Sequence, residues 1–497
     1  MPVQAGHHPE LIKKTRSLCP VCNRVIDADI IEEDGKIWLE RTCPAHGTTR
    51  YLLWPDAALY HRFDRYNSPG TGIENPQVSA PPDSCPASCG LCNNHQSQTL
   101  LANIDVTNRC NLDCEFCFAN ARACGFVYEP SFDEIVSMMH TLRDQKPMPV
   151  PAVQFSGGEP TLRDDLVEII RTAKAMGFPQ VQLATNGIRI AQDPELAHWL
   201  RGAGLSTVYL HFDGVSTRTN PHVKIHELAI KHLKEAGQGT VLVPTIIRGK
   251  NDHEIGAIIR FAVANTSVIC GVNFQPVAFT GRAGDEDLKQ SRITISDLLE
   301  TIEVQMQGIL RKDDFYPVPC VIPFSDLVEA YTGRPQVRFT AHQHCGAATY
   351  VFVRYDGTIV PVNRIVDVDS LFDSVERMAE TLRREGTLNT YKALAEGVRN
   401  IHDSVSRGEQ GNTADFWRMV AQILIRQNFN ALKDFHQYAL FIGTMHFMDR
   451  YNYDLERVRR CCIHYATPDG HLIPFCTYNS GPVHRERVWK KFARKEC

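Results

Sequence analysis

Three cysteines share one short loop, Cys110, Cys114 and Cys117, directly after the apolar run Leu101–Val106. Three thiolates at this spacing can grip one face of a cubane iron–sulfur cluster and leave its fourth iron open, whereas a closed structural site needs four ligands. Taken alone, the triplet also reads as half of a four-cysteine zinc site. The runs that follow argue for iron. Ala152–Phe155 leads into Ser156-Gly157-Gly158-Glu159-Pro160-Thr161, where the glycines permit close backbone approach and Glu159 offers an acceptor to an ammonium group. The next run ends in Thr185-Asn186-Gly187, suited to a ribose, and the one after it in His211-Phe212-Asp213-Gly214, a further polar cluster. Each motif is weak by itself; in this order, one per strand end, they describe a single site.

The same cysteine spacing recurs at Cys85, Cys89 and Cys92, but behind Pro-Pro-Asp-Ser instead of a strand and with no glycine-rich strand end at the right remove. It is therefore expected to be an auxiliary [4Fe–4S] motif, its fourth position filled by Cys124 or left open. Cys19, Cys22 and Cys43 are expected to hold one iron or zinc ion, with His46 the nearest fourth ligand by spacing and a merely buried, hydrogen-bonded His46 the equal alternative. Toward the C-terminus, Cys320, Cys345, Cys461 and Cys476 would complete a second auxiliary cluster. Cys461 is preferred to Cys462 because adjacent cysteines rarely bind one metal together. Cys124, Cys270, Cys462 and Cys497 have no firm role.

The elements that must position these residues follow from patterning. Apolar runs at 101–106, 152–155, 181–184, 207–212, 241–246 and 272–276 alternate with amphipathic stretches such as Phe132–Arg143 and Ile225–Ala236, which predicts βα units, a parallel sheet and an α/β fold. Six units suit a partial (β/α)6 TIM-like barrel, with its site at the C-terminal strand ends. Val25 to Glu40 reads as a hairpin turning at Asp34-Gly35, so the first segment is expected to be a small rubredoxin-like or zinc-ribbon-like unit needing its metal to fold. The expected organisation is 1–75 for that unit, 76–100 for a linker with the auxiliary motif, 101–310 for the core, and 311–497 for a C-terminal domain. That last part is expected to be helical from about Ser370 to Arg460, with the apolar stripe of Phe435–Tyr451 either core or the lining of a tunnel.

The chain has 497 residues, 43% of them apolar, a net charge of −4 and seventeen cysteines. That charge speaks against an electrostatic nucleic-acid binder. With no leader and no apolar run near the roughly 18–20 residues that span a bilayer, a cytoplasmic protein is expected, with room for peripheral contact at the inner membrane face. In a reducing compartment the paired cysteines read as metal ligands, not disulfides.

This order of motifs resembles the radical SAM (S-adenosylmethionine) superfamily. Its CxxxCxxC loop matches Cys110, Cys114 and Cys117, its aromatic before the last cysteine matches Phe116, and its GGEP motif, which contacts the SAM amine, matches Gly157, Gly158, Glu159 and Pro160. The resemblance implies that the open iron chelates SAM, with Thr185, Asn186, His211 and Asp213 as further cofactor contacts. It also implies that an electron from reduced ferredoxin or flavodoxin splits the sulfonium to a 5′-deoxyadenosyl radical. Ser17–Cys22, Cys345–Val351 and Met445–Asp449, with the three sets of outer cysteines, look like the archaeal tetraether lipid synthase family over essentially the whole chain. That resemblance implies a C–C bond between unactivated terminal methyl carbons of lipid alkyl chains, and a deep apolar tunnel. Relatives in the same family are described as pterin methyltransferases in methanopterin biosynthesis, which implies instead a compact polar pocket with amide and carboxylate groups. A metal-stapled electron carrier without SAM chemistry is the third expectation.

Overall fold

Alternating burial builds the N-terminal unit. In β1 (Glu10–Leu18), β2 (Val25–Glu33), β3 (Lys36–Cys43) and β4 (Gly47–Trp54), Ile30, Ile37, Leu39 and Trp54 point inward, and the strands pair as an antiparallel meander. Asp34 and Gly35 both take positive φ, 52° and 68°, between the paired Glu33 and Lys36, which is the geometry of a two-residue type I′ hairpin. The computed structural model describes residues 9–119, 121, 125–282, 291–354, 356–385, 439–480 and 484–493. Cys124, Cys497 and residues 386–438 of the expected helical region lie outside them.

The core follows the predicted period. β5 (Leu101–Thr107), β6 (Ala152–Gly157), β7 (Gln180–Thr185), β8 (Thr207–His211), β9 (Thr240–Val243), a short β10 (Thr245–Ile246) and β11 (Ile269–Pro276) carry six βα-type parallel strands, β9 and β10 being separated at Pro244, which has no N–H to donate. Helices cover one face. Phe132–Arg143, for example, starts on a capping box between Ser131 and Glu134 and buries Ile135, Met138, Met139 and Leu142.

The C-terminal part contributes β12 (Tyr316–Pro317), β13 (Gly346–Val353), β14 (Ile359–Pro361), β15 (Ala439–Met445), β16 (Ile463–Ala466) and β17 (Leu472–Pro474). β15 adds in parallel to β11 at one edge, and β16 adds in parallel to β5 at the other. Eight parallel strands thus run in the order β15-β11-β9-β8-β7-β6-β5-β16. Of the region expected to be helical, Val368–Glu385 is a helix, but 439–445 is a strand. The physical reason is that a short apolar run, Leu440-Phe441-Ile442, carries no periodicity that separates strand from helix, and an open sheet edge pairs with it.

Residues 446–462 connect β15 to β16 and so bridge the two edges of the core sheet. The N-terminal unit docks on this strap. Ser17 donates to the Tyr453 carbonyl (2.5 Å), Thr15 to Asp454 (2.6 Å), Lys13 to Glu456 (2.7 Å) and Arg41 to the Tyr451 carbonyl (2.9 Å).

Candidate active site and thiol clusters

The loop with Cys110, Cys114 and Cys117 leaves the end of β5, and the glycine turn after β6 packs directly under it. The Gly158 N–H donates to the Thr107 carbonyl (2.7 Å) and the Glu159 N–H to the Arg109 carbonyl (2.8 Å). A Cβ on Gly157 would strike the Thr107 carbonyl, and one on Gly158 the Arg109 carbonyl, so the contact demands glycine. From the opposite side Gly281, at φ +66°, lies against the Cys117 carbonyl, and Arg282 donates to the Cys114 carbonyl (3.1 Å) and pairs with Asp113. Sequence reasoning missed Gly281 and Arg282; nothing in their local pattern marks them. The three thiols are half-buried. Burial, then the charges of Cys117, Cys110 and Asp213, push Cys114 up to about 11. Three half-buried thiols on one loop suit an iron–sulfur group, whose cationic core neutralises thiolate ligands.

Glu159 is 1% exposed, and its carboxylate accepts from the Thr161 N–H (3.0 Å) and hydroxyl (2.6 Å), the Thr185 hydroxyl (2.7 Å) and the Asn186 N–H (2.8 Å). It braces the end of β6 against the end of β7, leaving one lone pair of Oε2 for a ligand. Thr185 and Asn186 are likewise turned inward, the amide of Asn186 donating to Asn111 (2.7 Å). Pro160 is buried and opens the short turn Pro160–Leu162. His211 and Asp213 are the open pair, 3.1 Å apart and 34% and 25% exposed. Burial opposes charge on His211, but Asp213 outweighs it and raises the pKa. Phe116 packs beside Ile247, Val277 and Phe279, with the Lys250 ammonium 5.1 Å over its ring.

In the N-terminal unit Cys19, Cys22, Cys43 and His46 bring their donor atoms within 4.8 Å of one another, the His46 Nδ1 lying 3.5 Å from both Cys19 Sγ and Cys43 Sγ. This donor set fits one tetrahedral ion. Cys85, Cys89 and Cys92 line a common cavity with His95 and Arg459. Cys461 and Cys476 lie within electrostatic reach of each other and of Cys345. Cys462 lies within the same electrostatic reach of Cys345 and Cys461, and its thiol donates to the Arg460 carbonyl (3.8 Å). Cys320 stands apart from that group, its neighbours being Asp369 and Tyr316.

Residues 104–262 match the model of the radical SAM superfamily, and residues 11–55 that of the HMPTM N-terminal zinc ribbon domain. The chain is 46% identical to a 7,8-dihydro-6-hydroxymethylpterin dimethyltransferase of Methanocaldococcus jannaschii, over 97% of this chain and 96% of that protein. The chain belongs to the radical SAM superfamily and to the family of this archaeal relative. It is 29% identical to a probable GTP 3′,8-cyclase of Methanothermobacter marburgensis, over 35% of this chain and 58% of the other. The crystal structure of a methylornithine synthase aligns with 43% of this chain and 64% of the other at a TM-score of 0.32 and 17% identity.

The chain is thus a radical SAM enzyme, a class that works with SAM, a [4Fe–4S] cluster and a reduced electron donor. The expectation of lipid alkyl-chain coupling is overturned, because the relative matched from end to end is a pterin dimethyltransferase. The radical SAM sheet itself runs against an apolar tunnel. Along β6, β7, β8, β11 and β13, the residues buried beneath the helices alternate with half-buried Gln154, Gln182, Tyr209, Asn273 and Tyr350 on the opposite face. Gln154 donates to Gln182 (3.3 Å), and Tyr350 meets Phe441 edge to face at 5.5 Å. Sequence reasoning did not single out these amides and phenols, although their alternation with apolar neighbours is written in the strands. Of the stripe offered as tunnel lining, 439–445 is the strand β15, and Phe447 and Met448 are buried in an apolar cluster with Tyr453 and Leu455. Among the described residues no helix is long and apolar enough to cross a membrane.

Proposed function

We propose that the chain is a radical SAM methyltransferase acting on a pterin of the 7,8-dihydro-6-hydroxymethylpterin kind. The observation that carries this reading is the 46% identity to the archaeal dimethyltransferase along nearly the full length of both chains. The amides and phenols on the inner face of the sheet support it, since a planar heterocycle is held by a few convergent polar groups and aromatic edges.

On this reading Cys110, Cys114 and Cys117 hold the catalytic [4Fe–4S] cluster, which when bound supplies the electron that cleaves SAM to methionine and a 5′-deoxyadenosyl radical. Gly157 and Gly158 keep the backbone close to the cysteine loop, Glu159 fixes that turn, and the His211–Asp213 pair and Phe116 contact SAM. Cys19, Cys22, Cys43 and His46 hold one zinc or iron ion. Cys85, Cys89 and Cys92 hold one auxiliary cluster, and Cys345, Cys461 and Cys476 a second. The segments 1–75, 76–100 and 101–310 serve as ribbon, linker and core, and 311–497 as a C-terminal part whose β15 and β16 extend the core sheet, in the reducing cytoplasm, with ferredoxin or flavodoxin as donor.

The test is anaerobic incubation of reconstituted enzyme with SAM, dithionite and 7,8-dihydro-6-hydroxymethylpterin. A pterin product heavier by one or two methyl groups, formed with 5′-deoxyadenosine, is expected, each methyl carbon coming from a one-carbon donor other than the SAM molecule that is cleaved, whose own methyl leaves on methionine. Abundant 5′-deoxyadenosine with the pterin unchanged in mass would sink the assignment.

A further inference from the structure

A short helix in the strap, Leu455–Arg459, carries two arginines whose neighbours were not legible in the sequence. Asp454 caps it, accepting from the Glu456 N–H (3.0 Å). Arg457 and Arg459 are two residues apart, so at about 100° per residue they leave the helix on nearly opposite sides. Arg457, 9% exposed, donates from Nε to Cys345 Sγ at 3.4 Å and from a terminal nitrogen to the His446 carbonyl at 2.8 Å. It also lies within reach of the Cys476 charge. Arg459 lines the cavity that Cys85 shares with Cys89 and Cys92, its guanidinium charge within reach of the Cys85 thiol. Tyr453, on the same strap, lies within electrostatic reach of Cys85, Cys89 and Cys476.

We propose that Arg457 and Arg459 are positioning residues that set the reduction potentials of the two auxiliary clusters, one guanidinium for each. This rests on the reading that both thiol groups hold [4Fe–4S] clusters. The chemistry is electrostatic. Adding an electron makes a thiolate-ligated cluster more negative, and a fixed cation close to a ligand sulfur stabilises that reduced state. Burial strengthens the effect, because little water screens the pair. Each arginine therefore makes its cluster easier to reduce. Their common origin on one helix couples the two centres to the strap, on which the N-terminal unit also docks.

The experiment is an EPR-monitored redox titration of anaerobically reconstituted full-length enzyme, with iron and sulfide counted on each sample. Arg457→Met should lower the equilibrium constant for reduction of one auxiliary cluster at least tenfold, a midpoint more negative by about 59 mV for a one-electron couple. Arg459→Met should do the same to the other cluster and leave the first in place. Lysine at either position should restore most of the shift, since it keeps the charge. Should a methionine variant lose iron, the glutamine variant, which keeps a donor without the charge, is titrated instead and the same negative shift is expected. Wild-type enzyme with only one cluster's worth of iron and sulfide would refute the cluster reading and the inference with it. Three clusters whose midpoints do not respond to either arginine would refute the inference alone.

Discussion

The N-terminal Cys19/Cys22/Cys43/His46 group and the Cys110/Cys114/Cys117 loop use the same kind of ligand to opposite ends. In the ribbon, two tight turns bring four donors within 4.8 Å, and Cys19 and Cys43 are 1% and 3% exposed. Backbone N–H groups, that of Ala45 foremost, together with His46, pull Cys43 down to about 6. At the end of β5 the backbone is crowded by glycine turns, but only three thiols are supplied, and burial and mutual repulsion push Cys114 up to about 11. The first arrangement offers four donors to one ion; the second offers three thiols beside the polar strand ends. Closure marks a structural metal site and vacancy a chemical one.

Cys114→Ala tests the comparison most severely. SAM cleavage should fall to background while one ribbon metal per chain is retained, measured by 5′-deoxyadenosine formation and metal analysis; persistent cleavage would move the catalytic centre to Cys85, Cys89 and Cys92. Gly281→Ala should follow, with cleavage reduced roughly 100-fold, because a Cβ meeting the Cys117 carbonyl must displace the loop by a sizeable fraction of an ångström. Unchanged turnover and cluster content would show the loop to be compliant.

Arg485→Met tests the support beneath that loop. Arg485 pairs with Asp105 on β5 at 2.8 Å, the two being 10% and 2% exposed, and is ringed by Tyr465, Tyr478 and Trp489. Stranding Asp105 should cost about 3–5 kcal/mol of stability, read as a lower denaturation midpoint with ribbon metal still bound. Wild-type stability would mean that Asp105 finds water or another partner. Cys19→Ser should have the smallest effect on chemistry. It should release the ribbon ion yet leave SAM cleavage within about threefold, since lost ligands unfold small metal units locally. Loss of cleavage would show that docking on the strap makes the ribbon part of the catalytic machinery.

Much of the core was legible because its signals are local. The six βα runs and the Asp34-Gly35 hairpin depend on neighbours a few residues away. The strand at 439–445 was not, because an apolar run of that length takes its form from whatever edge is open to it. Glu159 shows the same limit at the site. Its type promised an acceptor, but the hydroxyl of Thr185, 26 residues onward, decided that it should brace two strand ends.

Sequence by itself determined which residues can ligate, where chain direction reverses, and the parallel order of the barrel, since ligand spacing and strand period act over a few residues. Tertiary structure alone decided that β15 and β16 extend the sheet from both edges, that Arg457 meets a thiol 112 residues earlier in the chain, and that Arg459 shares a cavity with Cys85, Cys89 and Cys92. Those contacts depend on the pairing register of distant strands and on where a connecting segment must cross, and neither is written in any short window of residues.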